Sequence, residues 1–254
     1  MSNSTARNFM DRAVIVTGAG SGIGRATAVA FAESGAHVLG VGRRRNALEE
    51  TAGAHSGIAV LPLDIREEGA AERVVGTAVE MWGRLDVLVN NAGAAAMMPL
   101  SETDRSVINN LFDLNVTAPS VLARAALPHL RDSGGSIVNV SSTYGHRPLP
   151  GGAHYAATKS ALEQLTRSWA LELASTGVRV NAIAPGPTET DVLAAAGLPE
   201  DTIDEIHSAE RERIPVGRLG DPQDVADWIL RLADPRDTHI TGQILTIDGG
   251  LELV

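Results

Sequence analysis

Apolar residues come along this chain in short unbroken runs that stop at Gly, Asn or Asp, and between the runs they recur at helical spacing. Ala13–Thr17 is such a run, rich in β-branched residues, as a strand buried on both faces requires. Comparable runs predict strands at His37–Val41, Ile58–Leu63, Val87–Val89, Ser136–Val140, Val178–Ile183 and Ile244–Ile247. Helical periodicity fills the gaps over Arg25–Ser34, Arg45–Ala54, Glu67–Trp82, Ala153–Ser175 and Asp221–Ala233, with Gly35, Gly83 and Gly177 as stops. Ser101–Leu130 reads as one long helix, bent where Pro119 interrupts it.

Strands alternating with helices predict an α/β fold: one doubly wound, mostly parallel, seven-stranded sheet with helices on both faces. No repeat or linker divides the chain, so residues 1–254 are expected to form a single domain. Between Pro185 and Pro215 the pattern breaks into Pro-Gly-Pro and short Ala/Leu-rich and charged pieces. A stretch of that length within a compact domain suits a substrate-covering segment, at about 187–215. Ligands of such sheets sit beyond the carboxyl ends of the strands.

Composition narrows the function classes. A net charge of −10 argues against nucleic acid and anionic membrane as partners. The absence of cysteine removes disulfides and thiolate chemistry. The polar first residues lack a signal-peptide core, and no apolar stretch reaches membrane-spanning length, so a cytoplasmic protein is expected. The seven histidines show no metal-ligand spacing, and no metal is expected.

One residue stands apart. Lys159 is the only lysine beside 20 arginines, and it follows Tyr155, one of two tyrosines, by four positions. A lysine is a compact charge of adjustable pKa, whereas arginine is a permanently charged fork. Helical spacing puts the two side chains on one face, one turn apart. A cation there is expected to lower the phenol's pKa and make Tyr155 a general acid/base. Upstream, Gly18-Ala-Gly-Ser-Gly-Ile-Gly24 joins the first strand to the first helix, where a glycine-rich turn and free helix N–H groups suit a phosphate. Its spacing is not the common G-x-G-x-x-G fingerprint.

Thr17-Gly-Ala-Gly-Ser-Gly-Ile-Gly24, Asn90-Asn-Ala-Gly93, Ser142, Tyr155-x-x-x-Lys159 and Pro185-Gly186 together resemble the short-chain dehydrogenase/reductase family, in its single-domain branch of roughly 250 residues, including the 3-oxoacyl-acyl-carrier-protein reductases. The resemblance runs from about Asp11 onward. It implies a nicotinamide-dependent oxidoreductase, usually a homotetramer, acting on a small-molecule carbonyl or alcohol. By that resemblance Tyr155 exchanges the proton with substrate, Lys159 lowers the phenol's pKa and bonds the nicotinamide ribose, and Ser142 holds the carbonyl. Ser141 competes for the last role, although the thirteen-residue spacing to Tyr155 favours Ser142. Asn115 matches a proton-relay anchor near the lysine.

For the cofactor, the resemblance assigns Gly18, Ser21, Gly22, Ile23 and Gly24 to the phosphates, and Asn91, Ala92 and Gly93 to the ribose turn. Pro185, Gly186, Thr188 and Thr190 would lie over the carboxamide. Asp64 and Ile65 match the adenine side, with helix capping the alternative for Asp64. An acid at the end of the second strand would select NAD(H), but Gly42 stands there, followed by Arg43, Arg44 and Arg45. Guanidinium in place of carboxylate favours NADP(H), with NAD(H) the alternative and Arg43 the expected contact. His146 and His154 bracket the serine loop and are candidates to face substrate. Met97, Met98, Leu149, Pro187, Leu193 and Leu198 are candidates for an apolar wall, at least half of them ordinary core.

The expected reaction is hydride transfer between NADP(H) and a ketone/secondary-alcohol pair. A nucleotide-binding redox sensor without turnover is the rival, and the Tyr-Lys pair counts against it.

Overall fold

The computed structural model describes residues 9–190 and 199–254. Seven parallel strands form one sheet: β1 (Ala13–Thr17), β2 (His37–Gly42), β3 (Ile58–Pro62), β4 (Val87–Asn90), β5 (Ser136–Val140), β6 (Arg179–Pro185) and β7 (Ile244–Ile247). Their order across the sheet is β3-β2-β1-β4-β5-β6-β7, so the chain reverses direction between β1 and β4. A crevice opens at such a reversal, beyond the strands' carboxyl ends.

The helices are α1 (Gly22–Glu33), α2 (Arg45–Ala54), α3 (Ala70–Trp82), α4 (Arg105–Phe112), α5 (Ala118–Ser133), α6 (Ala153–Leu173), α7 (Glu200–Arg213) and α8 (Pro222–Ala233). Alternation along each strand divides the core in two. Ile15, Leu88 and Ile137 face one side with Val74 of α3, Leu122 and Leu130 of α5, and Leu173 of α6. Val14, Val16, Val89 and Val138 face the other with Phe31 of α1, Leu48 of α2, and Val225 and Ile229 of α8. This is why the strands read as continuous apolar runs rather than alternating ones. No helix among the described residues is long and apolar enough to cross a membrane.

Three expectations need correction. First, α1 begins at Gly22, so the glycine turn itself enters the helix, while α3 begins only at Ala70 after a turn through Glu67. Second, Ser101–Leu130 is not one helix bent by proline. A 3₁₀ turn (Leu100–Glu102) precedes α4, and a π-helical turn at Asp113–Thr117 joins α4 to α5. Pro119 follows directly on that π turn, as the second residue of α5. The widened turn carries buried Asn115, the kind of place where π turns gather. Third, the 187–215 stretch contains α7, which has no buried residue, while its foot at Ile214 packs with Leu219 and Leu251. Leu193 and Leu198 lie outside the described residues.

Candidate active site

The turn after β1 is held by Thr17. Its hydroxyl accepts from the N–H groups of Asn91 and Ala92 at 3.0 Å each and donates to Val89 O at 3.2 Å. Asn91 Nδ2 returns a bond to Thr17 O at 2.8 Å. The first and fourth strand ends are thereby locked side by side. Gly24 packs so closely on Gly18 that a Cβ would collide with its carbonyl and with Asn91 Nδ2. Ser21 occupies the N-cap of α1 without a side-chain capping bond, and no acid stands in the first turn. The first N–H groups of α1 are thus left without a side-chain acceptor, which suits an anionic diphosphate. Ile23 packs against the core, leaving only its backbone to the turn.

At the end of β2, Gly42 is followed by exposed Arg43 and Arg44. Arg44 reaches the glycine turn, donating from Nη2 to Ser21 Oγ at 3.0 Å. Arg43 lies close enough to Asp64 to help hold its carboxyl below the usual range, after the larger effect of the Arg66 hydrogen bond. Asp64 accepts from Arg66 Nη2 at 2.6 Å, Arg66 Nε at 3.0 Å and Arg66 N at 3.1 Å. It does not cap α3, whose N-cap is Gly69. Ile65 is buried in the core, so only its backbone can meet a nucleotide.

At the sheet's centre, Asn115 is fully buried. Its Oδ1 accepts from Ala94 N at 2.9 Å, and its Nδ2 donates to Ala94 O at 2.9 Å and to Thr158 Oγ1 at 3.0 Å. Sequence reasoning missed Thr158, although its place inside the Tyr-x-x-x-Lys span was a usable signal. Asn115 thus pins the segment following Gly93 to α6. Gly93 itself lies between Asn115 and Lys159: a Cβ there would approach Asn115 Oδ1 to 3.1 Å and Lys159 Nζ to 3.4 Å.

Tyr155 and Lys159 lie one turn apart on α6, with Nζ 5.8 Å from the ring centroid. Lys159 is buried and donates to Val140 O at 2.9 Å. Burial lowers its pKa from 10.5 to about 8. The phenol behaves contrary to expectation. Burial pushes Tyr155 up, hydrogen bonding with Ser142 pulls it partly back, and Tyr144 adds to the rise. In this form Lys159 is turned to Val140, and burial is the larger influence on the phenol.

The two serines separate clearly. Ser141 Oγ donates to Glu163 Oε1 at 2.9 Å and is committed to the core of the loop. Ser142 Oγ accepts a 3.3 Å bond from Tyr144 N and is near enough to Tyr155 to pull the phenol's pKa partly back down. Pro185 ends β6, and Gly186 packs on Asp248 with its N–H bonded to Ile247 O at 2.9 Å. Thr188 Oγ1 donates to Gly186 O at 2.9 Å, while Thr190 lies against Gly22. Pro187 accepts from Gly220 N, so its carbonyl faces the fold.

Met97 and Leu149 meet at the Gly151–Gly152 turn, and Met97 is largely exposed, whereas Met98 is buried. His154 has an enclosed Nδ1 without a partner among the described residues. His146 does not face substrate. Its two ring nitrogens point at Glu163 and Glu252.

These residues come together at the carboxyl ends of β1, β2, β4, β5 and β6, where a glycine turn, a cationic rim and a Ser-Tyr-Lys cluster adjoin. The chain matches the family model described as enoyl-(acyl carrier protein) reductase over residues 18–252. It is 37% identical to a 3-oxoacyl-(acyl-carrier-protein) reductase from Thermotoga maritima, over 93% of this chain and 96% of that protein. It is also 37% identical to a cis-4-hydroxycyclohexanecarboxylate dehydrogenase from Sinomonas cyclohexanicum, over 97% and 98% of the two chains. The crystal structure of a short-chain dehydrogenase/reductase of unknown function from Caenorhabditis elegans, with cofactor, superposes with a TM-score of 0.91 at 36% identity, covering 97% of each chain.

Proposed function

This chain belongs to the short-chain dehydrogenase/reductase family and is an oxidoreductase of that family, and on that premise we propose that it interconverts a ketone and a secondary alcohol with NADP(H). One observation carries the chemistry: a buried Lys159 one turn from the Tyr155 phenol, its Nζ 5.8 Å from the ring, with Ser142 close enough to pull the phenol's pKa partly back down.

The residues present fit a nicotinamide dinucleotide. Gly18–Gly24 and the uncapped start of α1 would hold the diphosphate, and Asn91, Ala92 and Gly93 the neighbouring ribose. Pro185, Gly186, Thr188 and Thr190 would border the carboxamide, and Asp64 with the backbone of Ile65 the adenine. When bound, the cofactor supplies or accepts the hydride. Arg44 together with Arg43 would receive a ribose 2′-phosphate at the place where a carboxylate would repel it. That argument favours NADP(H) over NAD(H).

In the reducing direction Tyr155 Oη gives its proton to the substrate oxygen, and in the oxidising direction it takes that proton back. Ser142 Oγ holds the same oxygen and steadies the charge developing on it. Lys159, as ammonium, compensates the phenolate left behind, which needs a small cation at a buried position. Asn115 keeps the π turn and the segment beyond Gly93 against α6, on which both proposed catalytic side chains stand.

The activities named for relatives concern an acyl-carrier thioester and a cyclohexane ring, so both carbonyl types belong in the assay. A panel of ketones and alcohols, each tested with NADPH/NADP and NADH/NAD by nicotinamide absorbance, tests the reading. Turnover of none of them, with nucleotide still bound, would support a redox sensor instead. A homotetramer is the assembly this reading implies, and Val121 on α5 and Leu171 on α6 are exposed apolar residues in keeping with it. A monomer by light scattering would overturn that part.

A further inference from the structure

The serine loop is tied down on the side away from the cleft. Three of its residues reach the 248–254 segment. Thr143 Oγ1 donates to Asp248 Oδ2 at 3.2 Å, His146 Nε2 lies 2.7 Å from Glu252 Oε2, and Arg147 donates to the carbonyls of Leu251 and Val254. Asp248 in turn accepts from Gly250 N at 2.9 Å and Glu252 N at 2.8 Å, shaping that segment into a tight turn. On the other side the loop rests on α6 through Glu163, which is 3% exposed. Glu163 Oε1 takes a 2.9 Å bond from Ser141 Oγ and lies 3.1 Å from His146 Nδ1. A carboxylate so deeply buried needs such partners to be tolerated.

The chemistry of His146 gives this arrangement its meaning. Both ring nitrogens face carboxylate oxygens, and an ionised carboxylate only accepts. A neutral imidazole has one N–H and one lone pair, so one of its two contacts would set lone pair against anion. Only the imidazolium donates to both. We propose that Glu163 and His146 are positioning residues for the reaction, forming with Glu252 a carboxylate–imidazolium–carboxylate clamp that holds the serine loop and so sets where Ser142 stands. The clamp rests on the reading of Ser142 given above.

The other charged or titratable groups around His146 are few. They are Tyr144 and Arg147 on its own loop, Arg167 on α6, 3.8 Å from Glu163, and Asp248 beside Glu252. Thr246 of β7 adds a hydroxyl, donating to Glu252 at 3.0 Å. Burial by itself would lower the histidine's pKa, but the two carboxylates outweigh it and hold the pKa above 6.5. Losing the proton at higher pH therefore releases one end of the clamp. Leu251 also packs with Ile214 and Leu219 at the foot of α7, so release would be felt there as well.

The test pairs an NMR titration with kinetics on the whole protein, using NADPH and the best ketone of the panel. The His146 resonance is assigned by its loss in His146→Leu. In the wild type it should titrate above 6.5. In Glu252→Gln it should titrate lower by about a unit, as loss of one charged partner predicts. The alkaline limb of kcat should move down with it, while the affinity for NADPH stays within about two-fold. His146→Leu should lower kcat several-fold without that limb. A merely structural role would lower the melting temperature and leave the shape of the pH profile alone. Superposable profiles for wild type and Glu252→Gln, or a wild-type His146 titrating at or below 6.5, would overturn the clamp. Ser142→Ala separates the two readings. If it turns over like wild type while His146 titrates high, the role of Ser142 has failed and the positioning role falls with it. If it is inactive while His146 titrates low, the clamp alone has failed.

Discussion

Arg44 Nη2 and Ser21 Oγ are joined by a 3.0 Å hydrogen bond that carries a guanidinium from the start of α2 onto the turn that opens α1. Arg44 is the N-cap of α2 and makes no capping bond there, so its side chain is available to the turn. A phosphate arriving at this rim would replace a neutral hydroxyl as the acceptor, and charged acceptors make the stronger bond. Arg44→Ala is therefore expected to raise the KM for NADP(H) roughly 10- to 100-fold, in line with the loss of one charge-assisted bond. The KM for NAD(H) should change only a few-fold. Initial-rate kinetics with both cofactors check this. Equal losses for both would remove Arg44 from phosphate recognition.

The phenol of Tyr155 is the proton carrier in the proposed reaction, and it stands one turn from Lys159 on α6. Tyr155→Phe should cut kcat by about 10²- to 10⁴-fold, the usual scale of general acid/base catalysis. NADPH affinity, measured by fluorescence titration, should survive within a few-fold. Turnover near wild type would exclude the phenol.

Lys159 and His146 pull the pH dependence of stability in opposite directions in the cofactor-free protein. The lysine's pKa is lowered to about 8, so between about 8 and 10.5 the unfolded chain binds more protons than the folded one. Its burial penalty is full below that window and relieved as pH rises through it. The shift corresponds to on the order of 3 kcal/mol. His146 has a raised pKa, so its contribution is full below 6.5 and is lost as pH rises through the folded value. Melting curves of wild type and Lys159→Met against pH should show the variant gaining most at neutral pH and converging with wild type at high pH. A difference that does not vary with pH would contradict the buried-lysine account.

Gly24 has no room for a side chain, because a Cβ would meet the carbonyl of Gly18 and the amide of Asn91. Relieving that overlap must move either the turn or the Asn91–Thr17 bond that locks β1 to β4. Gly24→Ala should destabilise by about 1–3 kcal/mol, as overpacking usually does. It should also weaken NADPH binding at least ten-fold more than the same substitution at exposed Gly53, where nothing lies within 4 Å. Calorimetry and cofactor titration on both variants decide it.

The strands were legible in the linear pattern because a sheet covered on both faces demands apolar residues at every position, whatever the helices above it contain. β1 and β5 match their expected bounds to the residue. The π turn was not legible. Nothing in the periodicity of Ser101–Leu130 announces that Asn115 will bond both Ala94 and Thr158, and those bonds hold the helix open there. Asp64 was read as either an adenine contact or a cap, and the bidentate grip of Arg66 settles against the cap. His146 was one of two candidates to face substrate because it flanks the serine loop in sequence, yet its partners stand 17 and 106 residues away.

By itself the sequence determined the doubly wound sheet, the glycine turn at the first strand's end, and the one-turn relation of Tyr155 to Lys159. Each is a matter of local spacing, set by the rise and pitch of the backbone and independent of what folds against it. The tertiary structure alone decided that Ser141 is held by Glu163, which arginine reaches the turn, and which way the pKa of the phenol moves. Those depend on burial and on partners far apart along the chain. Ser141 belongs to Glu163, Arg44 belongs to Ser21, and Lys159 is turned to Val140, pairings that exist only once the strands have brought their ends together.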